Sequence, residues 1–370
     1  SVLYAATVAW LALLALVAGV WLRGDVARDR PAWVGPAGFL YPVLAVPLAA
    51  VVLLVAVQPV RADIYFQSAS ANFDAALSGD DAALYGNAET LFARATALND
   101  DEDNYYLLWG ERFTQVGAAA QDVTQAAQAF QRAQELVAKA EERDPLMPYH
   151  VFNRGHLQLV FAQKLEPGSQ QALAAAANAA VALQQVFDKV PYDPLVADEL
   201  ALARLMEGKH DEAIRLLTYS RDALDDRNPL TYRLLGQAYA AAGRTAEAKA
   251  ALEQALALGG DMPAAERQSL LLSLGEMARA SGDLDAAARH YEALMATGAG
   301  DWRMLFNLGL VYRDKRDYER AFAALSQVLQ VAPQDAETRA QIQSALDDVI
   351  VRRGAGAPGG GSSLPGTGAP

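Results

Sequence analysis

The strongest constraint on this chain is a self-similar register in its second half. A Leu-Gly-x-x-Tyr cluster with downstream small and apolar residues gives Leu235, Gly236, Tyr239, Ala248, Leu252 and Ala255 in one stretch. It returns as Leu308, Gly309, Tyr312, Ala321, Leu325, Val328 and Pro333 in another. Leu274, Gly275, Ala278, Ala287 and Tyr291 lie between them, and Leu200, Ala201, Arg204, Ala213 and Leu217 lie before them. The anchor position therefore recurs at 201, 236, 275 and 309, with spacings of 35, 39 and 34 residues. A near-constant period of this length marks a supersecondary unit that cannot bury its apolar face alone and stacks on its neighbours. The unit is helical, because from Asp63 to about Ile350 there is little period-two alternation and the helix formers Ala, Leu, Gln and Glu dominate. A small residue on one helix facing a small residue on the next lets two helices approach closely, with larger residues filling the groove. Gly208, Gly243 and Gly282 each fall seven residues past an anchor, where a tight turn needs positive φ.

This pattern resembles the tetratricopeptide repeat, a helix, a turn and an antiparallel second helix in about 34 residues. The resemblance implies an all-α chain whose repeats form a right-handed solenoid. Earlier units are degenerate. Asp63 to Leu98 gives one hairpin, Asn104 to Asp144 a second with Tyr106, Trp109, Gly110 and Phe113 on its first helix, and Tyr149 to Asp188 a third with Val151 and Gly155. About seven hairpins are expected, divided into degenerate hairpins over 62–193 and regular repeats over 194–350. In this repeat class the first helices line a concave groove. Counted from the anchors, the groove residues are Arg233, Gln237, Glu276, Arg279, Arg303, Phe306 and Arg313. The implied partner is a protein or peptide, and the four Arg would receive a carboxylate or an anionic sugar through bidentate contacts. The alternative is that they only solubilise the groove.

The N-terminal sixth of the chain is different. Residues 1–22 and 31–60 contain no charged residue or His, whereas residues 62–370 carry 27 basic and 42 acidic side chains. Ser1 to Leu22 has the length of a membrane-spanning helix, and Trp33 to Val60, with Pro36, Pro42 and Pro47, reads as a second, kinked span. Arginines 23, 28 and 30 follow the first apolar run, which argues against a signal peptide, and they place the connecting loop in the cytoplasm. Residues 1–61 are thus expected to form two transmembrane helices in a bacterial inner membrane, with the repeats extracytoplasmic. A chain opening inside an apolar helix reads as a fragment of a longer protein. The net charge of −13 argues against nucleic-acid partners. Residues 351–370, rich in Gly, Pro and Ser, are expected to be disordered. They include Leu364–Gly368, similar to a sortase recognition pentapeptide but without the apolar tail and basic end of a sorting signal. Gly354, Gly356 and Gly359 match a dinucleotide-loop spacing without the strand and helix it needs.

No catalytic constellation emerges. His150, His156, His210 and His290 fall on different parts of the repeat, and Asp100–Asp103 lacks the glycine and distal Glu of a calcium loop. Neither a metal nor a cofactor is expected. The apolar hairpin, the Arg61–Tyr65 junction, the YYLLWG stretch from Tyr105 and the DPLMPYHVFNRG stretch from Asp144 together resemble the C-terminal part of a bacterial O-antigen ligase family protein with appended tetratricopeptide repeats. That family's membrane domain transfers glycan from a polyprenyl diphosphate carrier. The resemblance therefore implies a glycosyltransferase whose catalytic part lies upstream, and a glycan or lipid-linked glycan as a partner near the membrane. The competing reading is a non-enzymatic scaffold assembling a cell-envelope complex.

Overall fold

The computed structural model describes residues 37–79, 82–298, 301–333 and 335–356. The chain divides into two compact units between Pro191 and Tyr192. In the first unit, α1 (Ala37–Gly79) pairs with α2 (Ala82–Leu98), α3 (Asp103–Ala119) with α4 (Val123–Arg143), and α5 (Pro148–Lys164) with α6 (Gln170–Phe187). In the second, α7 (Pro194–Met206) pairs with α8 (His210–Tyr219), which ends in a π-turn at Ser220–Leu224. There α9 (Pro229–Ala241) also pairs with α10 (Thr245–Leu258), α11 (Ala264–Ala280) with α12 (Leu284–Ala296), and α13 (Trp302–Asp314) with α14 (Tyr318–Val331). A final helix, α15 (Ala336–Gly356), packs on α14.

The hairpins of the second unit share one turn, and most of their first helices share one kind of cap. Helix starts are set by side chains that accept free backbone N–H groups: Asp193 and Asn228, each followed by Pro, cap α7 and α9, and Asp283, Asp301 and Asp317 cap α12, α13 and α14. The first helix then ends in one shared turn. Lys209 N–H donates to Arg204 O, Arg244 to Tyr239, Asp283 to Ala278 and Asp317 to Tyr312, all at 2.8–2.9 Å. This six-to-one closure places one residue in the left-handed region, and Gly243 holds it at φ 75°. In the last repeat the same position is Arg316, at φ 64°.

The anchor is small because the second helix drives a side chain against it. A Cβ on Gly236 would lie 2.3 Å from Leu252 Cδ2, one on Gly275 2.9 Å from the Tyr291 ring, and one on Gly309 2.8 Å from Leu325. The partner stands sixteen residues past the anchor each time, and Leu217 stands in the same relation to Ala201. In the first unit Gly155 meets Leu183 of α6 in the same way, at 2.7 Å, but α1 and α2 are closed by rings instead. Phe66, Phe73, Phe92, Tyr105 and Trp109 are buried together, with Phe66 stacked on Tyr105 at 4.8 Å and Phe92 on Trp109 at 5.2 Å.

Two expectations are corrected here. The second apolar stretch does not end at a membrane boundary: from Ala37 onward it is the first part of the 43-residue α1, which runs unbroken through Arg61–Tyr65, while Trp33–Pro36 lie outside the described residues. Past that junction Ala62, Phe66, Ala69, Phe73 and Ala76 are buried, and the first four of them share a core with Ala88, Phe92 and Ala95 of α2. The junction is thus the interior of a hairpin helix carrying Arg61, Asp63 and Asp74. Among the described residues no helix is long and apolar enough to cross a membrane. The two transmembrane helices are corrected accordingly, with the integral-membrane, inner-membrane placement and the extracytoplasmic orientation that rested on them. Ser1–Leu22 lies outside the described residues. The second correction concerns the tail: residues 351–356 form the last turns of α15, and the rest, including Leu364–Gly368, lies outside the described residues.

Candidate functional site

Consecutive first helices of the second unit leave a cleft between them. The cavity, about 410 Å³, lies between α9 and α11 with Leu252 of α10 at its base. Its polar groups are Arg233, Gln237, Glu266, Ser269 and Ser273, and its apolar surface comes from Ala240, Leu252, Leu270 and Met277. On α9 the lining residues follow a three-to-four spacing through 233, 236, 237 and 240, and on α11 through 266, 269, 270, 273 and 277. Each helix therefore contributes one stripe. Arg233 Nε sits 2.7 Å from Glu266 Oε1, so the cleft's cation already has an anion across the gap. Both side chains are partly exposed, and ion pairs in that setting contribute only about 0–1 kcal/mol, so an incoming ligand can displace one partner at low cost. The chemistry on offer is that of a small apolar pocket with a hydroxyl, amide and ion-pair rim.

Of the seven groove residues expected from the anchors, Arg233 and Gln237 meet in this cleft. The others do not converge on it. Glu276 and Arg279 are exposed on α11 and flank Tyr291, whose hydroxyl is pushed up by burial and pulled back by Arg279. Arg303 lies over the Trp302 ring at 5.0 Å and pairs with Asp301 at 3.4 Å. Phe306 packs half-buried against the core formed by Leu305, Ala324, Val328 and Ile342. Arg313 pairs with Asp314 at 2.8 Å and reaches Asp348 of α15 at 3.9 Å.

Glu266, Ser269, Ser273 and Met277 were missed. For Glu266 the signal is the long 39-residue spacing, whereas Ser269 stands at the same offset from its anchor as Arg303. The helix α11 has 17 residues where α9 and α13 have 13, and the additional turn at its N-terminus carries Glu266 to the cleft.

Polar contacts also link first helices elsewhere. Asp198 of α7 is fully buried and accepts from Thr231 Oγ1 at 2.6 Å and Asn228 Nδ2 at 3.2 Å. Burial raises its pKa, against the pull of hydroxyl donors. His150 of α5 is buried with Nε2 2.7 Å from Asp103 of α3. Tyr312 is pushed up to about 12, first by burial and then by its hydrogen bond to Glu292 at 2.5 Å. His156 stacks on Phe152, and burial lowers the pKa of His290. Among the described residues no group of three or more His, Asp or Glu is placed to hold a metal ion.

With this geometry in place, the match to a family model falls on the second unit. Residues 233–294 and 272–336 match the tetratricopeptide repeat family model, and the chain carries these repeats there. The C-terminal part of a repeat-containing protein from Cytophaga hutchinsonii superposes with a TM-score of 0.51 at 16% identity, covering 76% of this chain and 99% of that one. The pilF protein of Pseudomonas aeruginosa gives 0.49 at 17% identity over 66% and 98% of the two chains. The type IV pilus biogenesis factor PilW gives 0.49 at 17% over 68% and 97%. No curated protein matches the sequence. The architecture is that of a tetratricopeptide-type helical scaffold, and repeats of this type generally bind protein partners.

Proposed function

We propose that the chain is a protein-interaction scaffold and that the cleft between α9 and α11 takes one apolar side chain of a partner segment. The observation that supports this reading is an open cavity set between two consecutive first helices, apolar at its base and polar at its rim. A volume of about 410 Å³ exceeds that of any single side chain, so a large aliphatic or aromatic residue enters with room for its backbone at the rim. Gln237 and the hydroxyls of Ser269 and Ser273 offer hydrogen bonds to that backbone. Arg233 holds a flanking carboxylate once Glu266 releases it. Glu276, Arg279, Arg303 and Arg313 extend the polar surface along α11 and α13 and serve chiefly to solvate it.

The glycan-transfer setting implied by the ligase resemblance depended on a membrane hairpin, and the interaction role stands without it. A displayed random-peptide library selected on the full chain tests the proposal. Peptides so obtained should lose binding to Ser273→Trp, which fills the cavity, and weaken against Arg233→Ala. A selected set indifferent to both substitutions would place recognition elsewhere.

A further inference from the structure

The first unit presents a second surface, unrelated to the cleft. Two loops on one edge, 99–102 between α2 and α3 and 144–147 between α4 and α5, are fastened to each other. Arg143 donates through Nη2 to Asp100 Oδ2 at 2.7 Å and through Nε to Asp100 O at 3.0 Å. His150 contacts Asp103 at 2.7 Å, directly after the second loop. Tyr106 donates to the other oxygen of Asp100, so that carboxylate is fully committed and held below its usual range.

What these clamps hold outward is apolar. Leu146 is 85% exposed, Tyr149 55% and Met147 44%. Three large side chains exposed within four residues, on a loop pinned at both ends, is not ordinary surface. Tyr149 is also stiffened from behind, its ring stacked on Phe152 at 6.0 Å and 14°. The same two fastened loops carry Asp101, Glu102 and Asp144, and among the described residues no basic side chain pairs with any of them. Asp144 Oδ1 accepts the N–H of Leu146, which ties its charge to the apolar loop. Between residues 62 and 191 the chain carries 17 acidic and 8 basic side chains, so the wider field has the same sign.

We propose that this edge docks a basic amphipathic segment of a partner protein, one that lays large aliphatic residues on Leu146, Met147 and Tyr149 and sets Lys or Arg against Asp101, Glu102 and Asp144. Charge complementarity selects the occupant. An acidic or neutral apolar segment would bury the three carboxylates unpaired, which costs more than the apolar contact returns. The exposed Met and Tyr suit the task, since a thioether adapts to varied aliphatic shapes and a phenol face accepts a cation.

The test uses the full chain and a fluorescein-labelled helical peptide of Leu and Lys on opposite faces, followed by anisotropy. Binding should weaken as salt rises. It should fall about tenfold or more with Leu146→Ser combined with Met147→Ser, a loss of about 1.4 kcal/mol or more. Asp101→Asn with Glu102→Gln should flatten the salt dependence, while Glu253→Gln with Asp261→Asn, the same charge change in the second unit, should leave binding unaltered. The Leu146 and Met147 changes touch exposed side chains, so helical content should stay at the wild-type level. Equal binding of a matched peptide with Glu in place of every Lys, indifference to the Leu146 and Met147 changes, or equal weakening by the remote pair would each overturn the proposal. The last outcome would reduce the effect to overall charge.

Discussion

The hairpin of α1 and α2 and the hairpins of the second unit solve one packing problem in different ways. In the second unit, the paired helices approach until an anchor glycine receives a Leu or Tyr from sixteen residues downstream, as in Gly236 with Leu252 and Gly309 with Leu325. In the first hairpin of the chain, α1 and α2 are held together by Phe66, Phe73 and Phe92, and the next helix adds Tyr105 and Trp109 to the same cluster. Rings fill this contact, and no glycine stands in the cluster. The family model matches at 233–336, although Gly155 meets Leu183 in the same way outside that range. The hairpin is therefore more general than the residue pattern by which it is recognised, because what stacking requires is a filled interface of the right thickness.

This contrast can be broken most forcefully in the aromatic cluster. Phe92→Ala opens a cavity touching Phe66, Phe73 and Trp109, and should cost about 3–5 kcal/mol, read by chemical denaturation. The glycine solution fails in the opposite direction. Gly236→Ala overpacks against Leu252, a penalty of about 1–3 kcal/mol, partly offset by the ~1 kcal/mol of better helix propensity. In a Leu252→Ala background the clash is gone and the same substitution should become neutral or stabilising, so a double-mutant cycle isolates the contact. If Gly236→Ala is equally harmful in both backgrounds, close approach is not why glycine stands there.

A smaller effect should come from the one repeat that departs from the shared turn. Arg316 occupies the left-handed position that glycine holds in the three preceding repeats. Arg316→Gly should stabilise by about 1 kcal/mol, measured as a higher midpoint. The last expectation concerns slope with pH. In the first unit Asp100 and Asp103 have Arg143 and His150 as partners, but Asp198 in the second is buried with hydroxyl and amide donors only. Its pKa is raised in the folded state, so between the unfolded value near 4 and the folded value the native chain holds the extra proton. Its contribution is fully present below that window and is lost as pH rises through it. The wild-type stability minus that of Asp198→Asn should therefore decline with rising pH across this range, and a flat difference would show that the carboxyl does not titrate there.

The repeat was legible because its anchors are fixed by close contact, and a close contact tolerates few residue types. The turn was legible for the same reason. The cleft was half legible: Arg233 and Gln237 follow from the anchor count and Ser269 stands at the offset that gave Arg303, but Glu266 depends on a helix longer by one turn, and only the interval from 236 to 275 hints at that. The apolar run from Trp33 to Val60 misled, since hydropathy reads the same for a helix that meets lipid and one that continues into a protein core. What distinguishes them here is the continuation. Ala62, Phe66, Ala69 and Phe73 keep one face toward α2, a four-three-four spacing that becomes informative only when α1 is followed past Arg61.

The six-to-one turn closure carries a consequence beyond packing. Because the return of the chain is fastened by its own backbone within each hairpin, a hairpin brings its exit geometry with it wherever it is placed. Recombination between any two anchors would then lengthen or shorten the array by whole modules without rewriting their junctions. In the second unit three such modules carry glycine at the turn and the fourth carries Arg316, so the module tolerates a change at that position without losing its closure.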